Sequence, residues 1–140
     1  MKKSVVLSIR GSQHYADQDP DVIELVTEGT LEKTEQGWVI SYEETDLTGL
    51  DGVNTTFQVR DKEMVLIREG KLNSRMVFRE GVPHDSLYEM SFGALMLTVC
   101  ATKVDAALTE NGGTIDLVYS ISVEQNSAGV IAYHLDMKVK

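Results

Sequence analysis

The chain has 140 residues, the length of one ordinary domain, and its 42% hydrophobic and 25% charged residues form a globular composition. We therefore expect a single domain over residues 1–140. Its 22 acidic residues outnumber its 13 basic ones and give a formal charge of −9, which disfavours binding to nucleic acid or to anionic membrane surfaces.

Alternation of polar and apolar residues between glycine-containing turns predicts strands along the whole chain. Val5, Leu7 and Ile9 open this pattern on one face of the first strand. The predicted strands span residues 3–14, 21–35, 37–47, 52–61, 63–69, 73–80, 85–92, 94–108, 114–124 and 129–139. Because the connections are short, successive strands are expected to pair as antiparallel hairpins.

Ten strands that each have one polar face need cover for their apolar face, and the sequence offers no amphipathic helix long enough to provide it. Closure of the sheet solves this problem and removes its edges. We therefore predict an all-β fold, an antiparallel up-and-down β-barrel of about ten strands. A helix within residues 84–110 is the alternative, because His84–Met90 resembles a helix cap, but Gly93 and the β-branched Thr98 and Val99 favour a strand.

The N-terminus and the cysteine content bear on the cellular compartment. Met1-Lys2-Lys3 leads into strand alternation and not into the apolar block of a signal peptide. The longest apolar stretch, residues 94–101, is interrupted by Thr98 and is too short for a membrane helix. Cys100 is the sole cysteine and is expected to be a small core residue. These features predict a cytoplasmic protein.

The centre of the chain carries a family resemblance. Its most specific residues are Ser41-Tyr42-Glu43-Glu44, Leu47-Thr48-Gly49, Thr55, Arg68-x-Gly70, Met76-x-Phe78, Tyr88-Glu89 and Gly93. In order and spacing they resemble the YwiB-like bacterial family of unknown function, and the resemblance extends over nearly the whole chain. It implies a calycin-type β-barrel, akin to lipocalins and fatty-acid-binding proteins.

One turn departs from the family pattern. Met90-Ser91 stands where the family usually has a Thr-Pro pair after Tyr-Glu, so no role is assigned to this turn. The family has no established activity. The resemblance therefore implies the architecture and leaves the function open.

Strand parity selects a few polar residues for the barrel interior. Glu44 shares a face with Tyr42 and points inward, whereas Glu43 points to water, and Arg68 continues the inward face of Leu66. One interpretation makes Arg68 and Glu44 a polar anchor for an anionic or amphiphilic ligand. The other places both residues at the rim, where they cap backbone carbonyls and close the mouth of the barrel.

Three functional hypotheses follow. The leading one is a barrel that binds a small apolar or amphiphilic molecule in its interior. Its candidate ligand-binding residues are the polar Arg68, Tyr42 and Glu44 and the wall residues Trp38, Leu66, Met76, Phe78 and Tyr88. The alternative is a packed barrel that serves as an interaction or assembly module, with a homodimer as its simplest form. The third is an enzyme that uses Glu43 or Glu44 with Arg68 and Tyr88.

No metal, cofactor or catalytic residue is predicted. His14, His84 and His134 lie far apart in the sequence, without the close spacing that prearranges a metal site.

Overall fold

The computed structural model describes residues 2–14, 21–44, 52–90, 93–123 and 126–140. The strands are β1 (Lys2–His14), β2 (Asp21–Thr34), β3 (Gly37–Glu43), β4 (Val53–Arg60), β5 (Glu63–Gly70), β6 (Leu72–Phe78), β7 (Pro83–Met90), β8 (Gly93–Thr109), β9 (Gly112–Val123) and β10 (Asn126–Val139). Predicted strand ends at residues 47, 92 and 124 lie outside the described residues. The other predicted ends agree with the structure to within three residues.

The ten strands close into a single barrel. Each strand pairs antiparallel with its neighbours in sequence, and β1 pairs with β10 to complete the ring, with Val5 opposite Val139 and His14 opposite Val130. The predicted all-β, antiparallel up-and-down barrel of ten strands is therefore confirmed.

The alternative of a helix within residues 84–110 is wrong. This segment forms β7 and β8, and their register sets His84 opposite Val99 and Asp85 opposite Thr98. β-branched residues lose little side-chain freedom in a strand, which explains the outcome. None of the described residues forms a helix long and apolar enough to cross a membrane.

The interior is built by alternation along the strands, although Val65 on β5 is also buried between Met64 and Leu66. On β1, Val5, Leu7 and Ile9 are buried, while Val6 and Ser8 between them are exposed. The same period of two continues on the other long strands, with a register shift between Ala101 and Lys103 on β8, and one face of the sheet forms a continuous apolar core.

Cys100 does not belong to that core. It lies half-buried on the outer face of β8, opposite Pro83 on β7 and Ser120 on β9. Its chain neighbours Val99 and Ala101 are the buried residues. The prediction of Cys100 as a core residue is wrong by one step of the strand alternation.

The contact between β6 and β7 differs from the other strand contacts. Among the described residues, its backbone pairing is limited to Leu72 with Met90 and Asn73 with Glu89. Farther along, side chains of β7 replace the backbone ladder, and the Ser86 hydroxyl donates a 2.7 Å hydrogen bond to the carbonyl oxygen of Arg75. The Nδ1 atom of His84 accepts a longer bond, 3.4 Å, from the amide of Val77. We call this contact the β6–β7 seam.

The seam yields a stability prediction. Ser86→Ala is expected to lower the free energy of unfolding by about 1–2 kcal/mol, because the half-buried carbonyl of Arg75 loses its partner. Ser74→Ala is the matched control, since Ser74 is also buried but its hydroxyl has no hydrogen-bond partner among the described residues. Urea unfolding of both variants measures the difference. Equal stability of the two variants would contradict a structural role for the Ser86 bond.

Candidate functional site

A cavity of about 300 Å³ lies inside the barrel. Gln13 near the end of β1, Asp21 at the start of β2, Glu44 just after β3 and Tyr88 near the end of β7 all line it. The cavity therefore lies toward the end of the barrel at which the odd-numbered strands finish. Its apolar wall includes Ile9, Leu25, Met76, Leu97, Ile121 and Ile131.

The interior next to the cavity is packed. Among the large, fully buried side chains of the described residues, Met76 and Tyr119 line the cavity. The others include Phe57, Phe78 and Leu66, which pack into the core. The barrel thus combines a cavity at one end with solid packing below it.

Polar residues enter the interior in one row across four strands. Tyr42 on β3 stands opposite Thr55 on β4, Thr55 opposite Arg68 on β5, and Arg68 opposite Ser74 on β6. All four side chains are buried. Because residues in register point to the same face of a sheet, this polar row faces inward as a unit.

Arg68 is the only cation among the buried residues that the structure describes, with a relative exposure of 8%. One of its terminal nitrogens, Nη2, donates a 3.1 Å hydrogen bond to the hydroxyl of Tyr133, across the lumen on β10. Its Nε atom is shut off from solvent and has no acceptor among the described residues. Burial by itself acts to lower the pKa of a guanidinium, but the interactions with Tyr133 and Tyr119 hold the pKa of Arg68 above its ordinary value. The guanidinium therefore remains charged.

Glu44 provides the opposite charge on the same cavity. Its carboxylate accepts a 3.1 Å hydrogen bond from the hydroxyl of Thr55 and a further bond from the hydroxyl of Tyr42. Glu44 is buried and the adjacent Glu43 is exposed, as the strand parity indicates. The carboxylate thus has two hydroxyl donors of its own within the barrel.

Burial raises the pKa of Tyr42 well above its ordinary value, and the negative charge of Glu44 raises it further. Tyr42 is therefore a neutral hydroxyl at physiological pH and acts as a hydrogen-bond donor. Loss of its proton would place a tyrosinate beside the carboxylate of Glu44, and the two negative charges would repel each other.

Two tyrosines complete the wall of the cavity. The ring of Tyr119 packs on Phe78 with a centroid distance of 4.5 Å, and Tyr133 stacks against Tyr119 at 6.5 Å. Tyr133 also meets Phe57 edge to face. Both tyrosines lie on the inward parity of β9 and β10, so the alternation that predicted Arg68 also identifies them as interior residues. Neither was among the candidate site residues.

The structure brings five of the eight predicted site residues to this cavity: Arg68, Tyr42, Glu44, Met76 and Tyr88. Leu66 and Phe78 instead lie in the packed core, each two residues along its strand from a cavity residue. Trp38 lies farther away, at the start of β3, where the ammonium of Lys33 sits 4.6 Å from its ring centre. This corrects the predicted wall, because parity gives the face of a strand residue but not its height in the barrel.

The residues of the enzymatic hypothesis do not all lie at one site. Glu44, Arg68 and Tyr88 line the cavity, whereas Glu43 is exposed on the outside. Among the described residues, no group of three or more histidine, cysteine, aspartate or glutamate side chains is arranged to hold a metal ion.

The buried Tyr42 predicts a particular loss of stability in alkali. The folded state keeps the proton of Tyr42, whereas the unfolded chain releases it near the ordinary pKa of 10.0. The contribution of Tyr42 to the free energy of unfolding is therefore fully present below pH 10. Above pH 10 it falls by about 1.4 kcal/mol for each pH unit. Urea unfolding between pH 8 and 11 measures this slope. We expect a shallower decline above pH 10 in Tyr42→Phe, and an unchanged slope in that variant would contradict the assignment.

The comparisons with known proteins agree with this architecture. A family model described as "Domain of unknown function (DUF1934)" matches residues 7–137. A similar protein of Bacillus subtilis (strain 168), described as "Uncharacterized beta-barrel protein YwiB", is 31% identical over 108 residues, which are 76% of this chain and 74% of that protein. The resemblance carried by the centre of the chain is thereby confirmed.

A solved structure matches the fold over its full extent. The structure described as "Crystal structure of ywiB protein from Bacillus subtilis" has a TM-score of 0.87 to this barrel and 24% sequence identity. The match covers 99% of this chain and 93% of that one.

Proposed function

The chain belongs to the DUF1934 family, a domain of unknown function, and for this member we propose a role as a barrel that binds a small apolar or amphiphilic molecule in its interior. The observation that carries the proposal is the cavity of about 300 Å³, which has apolar walls and a buried, charged Arg68. Small-molecule sites are typically concave and mostly apolar, with a few fixed polar groups.

The proposal extends to architecture and location. We assign the barrel to the calycin type, as the resemblance implies, and we place the protein in the cytoplasm. The single cysteine, which cannot form a disulfide within the chain, supports a cytoplasmic location. The binding role itself depends on the cavity and not on this assignment.

The first test uses octanol, a neutral amphiphile with a short apolar chain. In a methyl NMR titration, we expect octanol to shift the methyl resonances of Ile9, Leu25 and Ile131, which line the cavity. The methyl groups of Leu66 and Ile115, in the packed core, serve as the internal reference. Equal shifts in both groups, or none in either, would contradict binding in the cavity.

A pair of adjacent substitutions controls for surface binding. Leu25→Trp places a large side chain on the cavity wall and is expected to abolish the octanol shifts. Val26→Trp adds the same group at the next residue, which is 70% exposed on the outer face, and should leave them intact. Loss of binding in both variants would point to a site outside the barrel.

A second candidate function is self-association through the outer face. Leu87 on β7 and Met96 on β8 are cross-strand partners, and both are more than 40% exposed. Apolar side chains that adjoin on a surface favour contact with another protein, and a homodimer is the simplest such assembly. Sedimentation velocity at micromolar concentration tests it, with Leu87→Lys expected to convert a dimer to a monomer. A monomer in the unmodified protein would reject this candidate.

A further inference from the structure

We propose a second binding site at the opposite end of the barrel from the cavity, in an open groove of about 520 Å³. Its ligand is a planar aromatic anion, whose ring packs on Trp38 and whose charge is bound by Lys33. We call this site the basal groove. Among the described residues, none lines both the basal groove and the cavity, so the proposal does not depend on ligand binding in the cavity.

The basal groove lies where the even-numbered strands finish. The turn between β2 and β3, the turn between β4 and β5 and the last part of β8 all contribute to it. Its apolar surface is formed by Trp38, Val59, Met64, Val104, Ala106 and Leu108. On β5, Met64 lines the groove, Arg68 lines the cavity, and the fully buried Leu66 lies between them. Packed core therefore separates the two sites.

The sequence of β8 explains why the groove is open. Beyond the register shift that follows Ala101, Val104, Ala106 and Leu108 share one face of the strand. Val104 and Leu108 pack against the core, whereas Ala106 between them is exposed. The side chain of alanine is too small to fill the space in front of it. A volume of about 520 Å³ is within the range of small-molecule sites.

Trp38 provides the groove with an aromatic surface. It is the sole tryptophan of the chain, and its cross-strand partners are Lys33 on β2 and Val59 on β4. Its side chain is only partly buried, and the ammonium of Lys33 lies 4.6 Å from the centre of its ring. A partly exposed indole in a concave site favours packing against another planar ring.

The rim of the groove carries cations that have no carboxylate partner. Lys33, Arg60 and Lys62 line the groove, and none of them forms an ion pair with another described residue. The guanidinium of Arg60 donates a hydrogen bond only to a neutral group, the side-chain oxygen of Gln58, at 3.4 Å. An anion in the groove would supply the missing opposite charge.

The acidic residues of the rim oppose such an anion only weakly. The carboxylate of Glu63 pairs with Arg79 at 3.2 Å, and that of Asp105 lies 4.0 Å from the ammonium of Lys103. Arg79 and Lys103 do not line the groove, so these two carboxylates are compensated from outside it. The remaining acidic residues of the rim are Glu35 and Asp61, which are exposed in turns, where solvent screens their charge.

The contact between Lys33 and Trp38 determines the class of ligand. It places a cation and an aromatic plane within reach of one small molecule. Lys33 is exposed, so its long side chain can turn from the ring towards a bound anion. A planar aromatic anion uses both groups, an uncharged aromatic molecule uses Trp38 alone, and Lys33 repels an aromatic cation.

The experiment compares 2-naphthoate, 2-naphthylmethanol and 2-naphthylmethylamine, which share one ring system and differ in charge. NMR titrations of the full chain follow the single indole N–H resonance of Trp38 and the methyl resonances of Val104 and Leu108. We expect 2-naphthoate to shift all of them and to bind about threefold or more tightly than 2-naphthylmethanol. 2-Naphthylmethylamine should bind most weakly. Cyclohexanecarboxylate, an anion without an aromatic ring, should bind more weakly than 2-naphthoate.

Two lysine substitutions locate the anion. Lys33→Met keeps most of the aliphatic side chain at an exposed position and removes the charge. We expect it to abolish the preference for 2-naphthoate over 2-naphthylmethanol, while 2-naphthylmethanol still binds. Lys138→Met removes an exposed charge of β10 that does not line the groove and should leave the preference intact. Equal loss of the preference in both variants would overturn the role of Lys33.

The outcomes separate this proposal from ligand binding in the cavity. If 2-naphthoate shifts Ile9 and Leu25 but not Trp38, the basal groove is rejected and the cavity is supported. If 2-naphthoate shifts Trp38, Val104 and Leu108 while octanol leaves Ile9 and Leu25 unshifted, the basal groove is supported and the cavity is rejected. Equal affinity for the three naphthyl probes would overturn the selection of an anion.

Discussion

Replacement of Gly29 by alanine is expected to destabilise the barrel by about 3 kcal/mol, one of the largest effects that a single methyl group can have here. Gly29 lies in the middle of β2, between Val5 on β1 and Tyr42 on β3. A Cβ atom at this position would lie 2.5 Å from the carbonyl oxygen of Ser41 and 2.8 Å from the Leu7 side chain. Because the nearest atom belongs to the backbone, the strands themselves must separate to accommodate the methyl group.

The strain introduced by Gly29→Ala would extend to the cavity. The same Cβ would lie 3.1 Å from the Cβ of Tyr42, which is part of the polar row. We therefore expect Gly29→Ala to weaken octanol binding as well as stability. Urea unfolding and the methyl titration measure the two effects on one sample.

Gly81→Ala is the control for Gly29→Ala. Gly81 has a φ of 77°, but no atom lies within 4 Å of an added Cβ. Its substitution introduces backbone strain without a steric clash and should cost about 1–2 kcal/mol. If both variants lose the same stability, close approach of the strands at Gly29 is not the cause.

The strand pattern predicts the architecture because alternation depends on neighbours along the chain. Val5, Leu7 and Ile9 recur at every second position of β1, and a sheet with a single apolar face has closure as its simplest cover. The same parity correctly places Glu44 inside and Glu43 outside. These inferences need no information about distant residues.

Strand alternation does not predict the height of a residue along the barrel. Trp38 and Tyr42 share the inward face of β3, but four residues of strand place them about 13 Å apart along it. Only Tyr42 reaches the cavity. Which level of the barrel is open and which is packed depends on side chains from all ten strands, and one strand does not reveal it.

The sequence pattern likewise does not predict which side chains meet across the lumen. Arg68 donates to Tyr133, which is 65 residues away in the chain and on a strand that is not its neighbour in the sheet. Hairpin pairing predicts neighbours within the sheet, whereas closure of the ring brings β5 and β10 face to face. The partners of the buried charge therefore emerge only from the closed structure.

Removing both buried charges of the cavity at once is expected to leave the barrel at least as stable as the original protein. Arg68→Met alone leaves the negative charge of Glu44 in the cavity without the positive charge that also lines it, and Glu44→Gln alone does the reverse for Arg68. Each single variant should lose about 3 kcal/mol. Arg68→Met with Glu44→Gln removes both charges, and replacement of buried ions by neutral groups of similar size is often neutral or stabilising.

Urea unfolding of the four proteins forms a double-mutant cycle. If the losses of the two single variants add in the double variant, the charges act independently and the cavity is not an electrostatic unit. If the double variant is at least as stable as the original protein although each single variant is less stable, the two charges depend on each other and are kept at a cost to stability.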